Sequence, residues 1–403
     1  MAEKKRKKKK EQDERKKIKK VAKKHPVLVF VVFLLIVAIV GTCVLHKKGI
    51  IHIPFLDSIL PQDKETEVDS QGGAFTEEDI TTIKGSDLSI HFLMLGNEYT
   101  GDCTLIKVGD TEVLIDAGSR QNSAETIVPY VNQFCTDGVL EYVIATHADQ
   151  DHIAAFPSSS KTDGIFDSFE CKTIIDFPKT NKNTQVYQDY VAARNAEIAA
   201  GATHYTALEC YNQTNGAKQS YTLGEGVTMN FLYQKYYEET TTDENDYSVC
   251  MLLTEGENHY LFTGDLEKEG EASLVEKNQL PKCRLFKGGH HGSKTSSTDA
   301  LLSKIQPEIV CVCCCAGSDE YKAKPENTFP TQAFVDRVAK YTKEVYVTTL
   351  ANDTEIGYEP MNGNIVVMAN DGVITMRCSN NATRLKDTEW FKNNRTMPSA
   401  WTD

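Results

Sequence analysis

The chain has 403 residues, 40% hydrophobic and 25% charged, a composition that excludes collagen-like, low-complexity and disordered classes and leaves room for a membrane segment plus one large or two small domains. Of the net charge of −13, residues 1–24 contribute +10, from 14 Lys/Arg against Glu3, Glu11, Asp13 and Glu14, so everything after them carries −23. One end suits anionic surfaces; the other repels them at long range.

Residues 1–25 read as a basic cytoplasmic tail. Residues 26–45, PVLVFVVFLLIVAIVGTCVL, contain no charge. About 20 apolar residues at 1.5 Å each cross a hydrocarbon core of about 30 Å, so this stretch predicts a transmembrane helix. Lys/Arg crowd its N-terminal side and only Lys47 and Lys48 follow. The positive-inside rule then gives a single-pass protein of the cell membrane, N-terminus cytoplasmic and the rest extracellular. The basic run would also meet anionic lipid. A cleaved signal peptide has a shorter apolar region ending in a small-x-small site. Val40-Gly41-Thr42-Cys43 is a poor lipoprotein box, because Thr precedes the Cys.

Residues 46–86 predict an extracellular linker, with Pro54, Pro61 and the Gly72-Gly73 pair and little periodicity. From there short apolar runs recur: SIHFLML, TLIKV, EVLIDAG and EYVIATH, then VTMNFLY, VCMLLTE, HYLFTGD, CRLFKGG, EIVCVCCC and EVYVTTL. They predict strands ending at polar residues. Helices are expected over Asn122–Phe134 and Asn183–Ala200. Asn370-Asp371-Gly372 marks a closing hairpin. The alternation predicts an α/β domain over 87–378, with sheets inside and helices outside. Residues 379–403 are polar and predict a loosely attached tail. Of 12 Cys, four crowd at Cys311, Cys313, Cys314 and Cys315, and no paired CxxC ribbon exists, so they read as buried thiols.

The segment Thr146-His147-Ala148-Asp149-Gln150-Asp151-His152 directly follows a predicted strand. Two His and two Asp within six residues can aim several donors into one site, and imidazole with carboxylate suits zinc or manganese. Asp116 ends VLIDAG, Asp265 ends LFTGD, and His290 and His291 follow RLFKGG. Each alone is explained as well by a turn or helix cap. Together, at strand ends, they predict a metal site, with Asp116 holding His147 from behind. No Gly-rich phosphate loop and no GxSxG elbow are present, so no nucleotide cofactor and no serine nucleophile are expected.

These segments resemble the metallo-β-lactamase superfamily, and more narrowly the hydrolase domain of ComEC-type DNA-uptake proteins. The resemblance runs from about Leu88 to Cys378, through IHFLMLGNEYTGDCTLIKVGDTEVLIDAG, THADQDHIAAF, NDYSVCMLLTEGENHYLFTGDLE and FKGGHHGSKTSSTDALLSKIQPEIV. It implies a four-layer αββα sandwich holding one or two divalent ions, zinc or manganese. It implies metal ligands at His147, Asp149, Asp151, His152, Asp265 and His290 or His291, with Asp265 bridging. Asp102, in TGDCTLI, matches an acidic position near that site, and Ser293 and Lys294 match positions that would meet an anionic substrate. The superfamily's middle His has no counterpart: Asn245-Asp246-Tyr247-Ser248 stands there and His204 lies too early, so one ion would be held loosely or completed by water. A His-rich stretch that follows in ComEC-type proteins is replaced by Glu326-Asn327-Thr328-Phe329-Pro330.

A bound divalent ion lowers the pKa of water from near 16 toward roughly 7. Asp149 or Asp151 would orient or deprotonate that water, and Lys294 would help stabilise the oxyanion. The expected function is a membrane-anchored metal-dependent phosphodiesterase or nuclease acting on DNA or another phosphodiester. Nucleic-acid affinity would need a local patch, for which Lys282, Arg284, Lys287, Lys294, Lys322 and Lys324 are candidates. The alternatives are hydrolysis of another cell-envelope ester or amide, or a non-catalytic metal-binding surface module.

Overall fold

A computed structural model describes residues 68–70, 74–318, 320 and 327–402. The basic tail, the apolar segment 26–45 and linker residues 46–67 lie outside the described residues, as do Lys322, Lys324 and Glu326. The described residues belong to the unit Thr66–Asp403. Among them, no helix is long and apolar enough to cross a membrane.

Two sheets face each other. The first has nine strands in the order Val68–Ser70, Val373–Cys378, Ile365–Asn370, Leu88–Phe92, Thr104–Val108, Thr111–Ile115, Val139–Ile144, Glu170–Asp176 and Thr203–Thr206. The second has eight: Tyr358–Pro360, Glu344–Ala351, Ile309–Ala316, Leu285–Lys287, Asn258–Phe262, Cys250–Glu255, Val227–Leu232 and Ser220–Gly224.

Alternation along each strand sorts side chains into layers. In the first sheet Phe92 stacks on Phe262 of the second, with ring centroids 6.5 Å apart. Its neighbour His91 points the other way and meets Tyr130 and Phe134, beside the helix Ala124–Val131. In the second sheet Met251 and Leu253 join the core between the sheets. Cys250 and Leu252 join a second core, shared with Leu301 and Phe334 of the helices Asp299–Ile305 and Gln332–Val338. The layers therefore run helix, sheet, sheet, helix.

The predicted helices sit where their caps place them. Gln185–Ala200 starts at Thr184, whose side chain accepts from Tyr187 N, and stops at Gly201 with φ 123°. The helix predicted over Asn122–Phe134 is shorter, Ala124–Val131, entered through a 3₁₀ turn. Asn370 pairs with Val373 across the closing hairpin. Asp371 and Gly372 both adopt positive φ there, as a two-residue hairpin turn requires. All eleven described Cys are buried and unpaired.

Two boundaries differ from expectation. The linker predicted to residue 86 already contains domain structure. Val68–Ser70 pairs in parallel with 376–378. The helix Glu77–Lys84 opens on a Thr76/Asp79 capping box, buries Ile83 and pairs Asp79 with Arg377 at 2.8 Å. Residues 379–402 are no loose tail: Leu385, Phe391 and Trp401 are buried in the second core. Trp401 Nε1 donates to Thr342 O at 2.9 Å. Three anchors in a polar stretch are too sparse to show as periodicity, yet each buries a large apolar side chain.

Candidate metal centre

Four segments bring donors to one edge of the two sheets. Strands Thr111–Ile115 and Val139–Ile144 run parallel and deliver Asp116 and residues 146–152. Strands Asn258–Phe262 and Leu285–Lys287, also parallel, deliver Asp265 and His290-His291. The turn after Asp116 passes so close to the Asp151 carbonyl that a Cβ at Gly118 would overlap it.

The histidine rings are fixed from their Nδ1 sides. His152 Nδ1 lies 2.7 Å from Asp116 Oδ2. His291 Nδ1 lies 2.8 Å from the Cys313 carbonyl, which can only accept. Thr146 Oγ1 donates to Asp116 Oδ2 at 2.8 Å, so it can accept from His147 Nδ1 at 3.2 Å. All three imidazoles thus carry their proton on Nδ1 and turn an Nε2 lone pair inward. Asp116 holds His152 directly and reaches His147 only through Thr146, whereas the sequence pointed to His147.

The inward atoms converge. His152 Nε2 and His291 Nε2 are 3.3 Å apart. They stand 3.2 and 3.0 Å from Asp265 Oδ2. Asp151 Oδ2 is 3.2 Å from His291 Nε2. His147 Nε2 is buried with no hydrogen-bond partner, 3.7 Å from Asp149 Oδ2. Several lone pairs facing one another repel unless a cation sits among them, so these residues fit a divalent ion.

The electrostatics agree. Burial pulls the His152 imidazole down, but Asp265 and Asp116 more than reverse it and hold it well above its ordinary value. The same contest, with Asp265 and Asp102 as partners, holds His291 high. Burial, followed by the charge of His152, brings His147 down to about 4. Burial would raise Asp265, yet His291 and His152 keep it well below the usual carboxylate range. The negative field that attracts protons to His152 and His291 favours a metal ion there as well.

Asp102, His152, Asp265 and His291 also have donor atoms within 4.8 Å of one another. Asp102, however, approaches the Nδ1 atoms, 3.8 Å from that of His152 and 3.4 Å from that of His291. It lies behind the rings and pairs at 2.5 Å with Lys287. The residue that joins the inward set beside Asp265 is Asp151.

His290 and His291 both have left-handed backbone, φ 45° and 53°, a conformation costly for non-glycine residues. It splits them. His291 is buried among the inward atoms. His290 turns to Thr295 Oγ1 at 3.1 Å and Glu267 Oε1 at 3.2 Å, and its Nε2 stays 3.9 Å from Asp265. Arg337 braces the loop by donating to the carbonyls of Ser297, Ser296, Lys294 and Ser293. The Glu271 carboxylate accepts from Ser297 N and Thr298 N.

Other expected residues fall elsewhere. Lys294 is exposed and donates to Asn327 Oδ1 at 2.8 Å. Ser293 turns to Thr295. His204 pairs with Asp176 at 2.9 Å, away from the centre. Ser248, where the superfamily's middle His is missing, accepts from Asp265 N at 3.1 Å and lies 3.4 Å from His147 Nδ1. The expected basic patch is broken, since Lys287 is buried against Asp102 and Arg284 pairs with Glu308. Lys182, which no sequence motif marks, pairs with Asp149 at the rim.

Residues 238–316 match the family described as Metallo-beta-lactamase superfamily. The chain is similar to Recombination protein 2 of Haemophilus influenzae, 24% identical over 264 residues, covering 64% of this chain and 28% of that protein. It is similar to Competence protein ComA of Neisseria gonorrhoeae, 27% identical over 262 residues, covering 64% of this chain and 31% of that protein. It therefore spans less than a third of the length of either. Among solved structures, the metallo-beta-lactamase fold protein YhfI from Bacillus subtilis aligns over 66% of this chain and 97% of its own, at 11% identity and a TM-score of 0.37.

Proposed function

We propose that this chain, whose residues 238–316 match the metallo-β-lactamase superfamily, is a metal-dependent phosphodiesterase or nuclease, held at the cell surface by residues 26–45. The observation that carries this reading is the convergence of His152 Nε2 and His291 Nε2 on Asp265 within 3.2 Å, with Asp151 beside them. When bound there, zinc or manganese would supply Lewis-acid activation of water and of the scissile group.

The chain's own residues would do the rest. Asp265, His152 and His291, with Asp151, would hold an ion, His147 faces Asp149 beside them, and Asp116, Thr146 and the Cys313 carbonyl keep the lone pairs turned inward. Asp149 and Asp151 are each partly exposed at the rim. From there whichever carboxylate the ion leaves free, Asp149 if Asp151 is a ligand, can accept a proton from an attacking water. Lys182, paired with Asp149 at the rim, is the cation placed to meet an anionic substrate. The named relatives belong to recombination and competence, which supports a nucleic-acid substrate. The charge of −23 after residue 24 and the broken basic patch favour few phosphates over a long track.

The test is hydrolysis of single-stranded DNA and of a bis-aryl phosphate by the full-length chain with manganese or zinc. Turnover abolished by chelator and restored by metal is expected. A metal-loaded chain that cleaves neither overturns the phosphodiester reading, and an ester or amide substrate or a non-catalytic surface module takes its place. The topology has its own test. Protease added to intact cells should remove the domain, and its protection overturns the extracellular placement.

A further inference from the structure

Two groups of donors lie side by side at this edge, and they are unequal. The inner group has His152, His291, Asp151 and Asp265 Oδ2, with Nε2-to-oxygen distances of 3.0 to 3.2 Å. The outer group has His147 Nε2 and, 3.7 Å from it, Asp149 Oδ2. Both His147 Nε2 and Asp265 Oδ1 are buried without a hydrogen-bond partner. No further imidazole among the described residues completes the outer group. His91 is held by Ser89 and Tyr130, His204 by Asp176, His259 by Thr254 and His290 by Thr295.

The outer group already faces a cation. Lys182 Nζ pairs with Asp149 Oδ1. The lysine is held in place, not loose. Thr180 Oγ1 and Asn181 N both donate to Glu244, at 2.6 and 2.7 Å, and Lys182 N donates to Thr180 Oγ1 at 2.9 Å. On the other side Lys287 Nζ stands 3.9 Å from Asp265 Oδ1. A divalent ion entering the outer group must displace Lys182 from Asp149 or accept its charge nearby, and either weakens binding.

We propose that Lys182 is a built-in rival for the outer cation position, so that the chain binds one divalent ion tightly at His152, His291, Asp151 and Asp265 and a second only weakly at His147 and Asp149. This rests on the metal-centre reading above. The rival cation supplies what the missing middle histidine alone does not: a group whose removal should strengthen the second position.

The experiment is equilibrium dialysis of the metal-stripped full-length chain against stepped free Mn²⁺, read as metal per chain by elemental analysis. The parent should take up one equivalent first and a second at about tenfold or higher free metal. Lys182→Met should bring the second equivalent about two- to fivefold lower, the scale of a removed partly exposed ion pair. Lys182→Arg keeps the cation and should leave the steps where they are. Far-UV circular dichroism checks that each variant is folded. Two equivalents filling together in the parent, or steps unmoved in a folded Lys182→Met, overturn the proposal while leaving the metal-dependent reading in place. A parent that binds no metal overturns both.

Discussion

Asp116→Asn isolates the group that fixes His152. The buried carboxylate accepts from Thr146 N through Oδ1 at 2.8 Å, and from Thr146 Oγ1 and His152 Nδ1 through Oδ2 at 2.8 and 2.7 Å. Asn keeps the shape but has one acceptor oxygen, so one buried donor must lose its partner. With the amide nitrogen toward His152, the imidazole proton is driven to Nε2, the atom that faces Asp265 and His291. Metal affinity should then fall by about ten- to a hundredfold, the cost of losing an outer partner of a ligand. With the amide nitrogen toward Thr146 N, the backbone donor is orphaned at about 1–3 kcal/mol of stability. A competitive chelator titration reads the first cost and urea unfolding of the metal-free chain reads the second. If affinity stays within about twofold and stability within about 0.5 kcal/mol, Asp116 does not orient His152.

Burial raises Glu271 to about 7 from 4.5. A carboxyl with a raised folded pKa stabilises below its unfolded pKa, and that contribution is lost as pH rises through the folded one. Stability should decline between pH 4.5 and about 7 by at most about 3 kcal/mol, and Glu271→Gln should flatten that slope in urea titrations; an unchanged slope refutes the assignment. Lys287→Met takes from the buried Asp102 its closest cation and should cost up to about 3–5 kcal/mol, with Asp102→Asn in the same chain restoring part of it; strictly additive costs would contradict the pairing. Truncation after Arg384 removes Leu385, Phe391 and Trp401, worth about 1.5–3 kcal/mol each, and should abolish cooperative unfolding or lower its midpoint sharply, whereas an unchanged midpoint would mean the segment is the loose tail its polarity suggests.

The strands, the closing hairpin and the donor set are legible in the sequence because each is a local signal: alternation of two, an Asn-Asp-Gly turn, His and Asp at strand ends. What escapes is set by contacts across distance. Asp116 reaches His152, 36 positions on, and not His147, because Thr146 interposes its hydroxyl. The choice between His290 and His291 is made by left-handed backbone at both, which Arg337 and Glu271 support from elements far along the chain. Lys287 reads as one of several surface cations until the partner strand buries it against Asp102. Lys182 lies in an unpatterned loop, and only the grip of Glu244 on Thr180 and Asn181 brings it to Asp149. The helix Glu77–Lys84 carries a capping box that could have been found: Thr76 followed by Asp79, ahead of a single buried Ile83.

The central claim is that Asp265 and the inward-facing histidines hold a metal ion, and metal per chain after equilibrium dialysis tests it most directly. The parent should retain at least one equivalent of manganese or zinc. Asp265→Asn, which keeps the shape and removes the charge that two Nε2 atoms face at 3.0 and 3.2 Å, should lose affinity by at least about a hundredfold with its far-UV circular dichroism unchanged. Equal metal content in parent and variant, or none in the parent, would contradict the account.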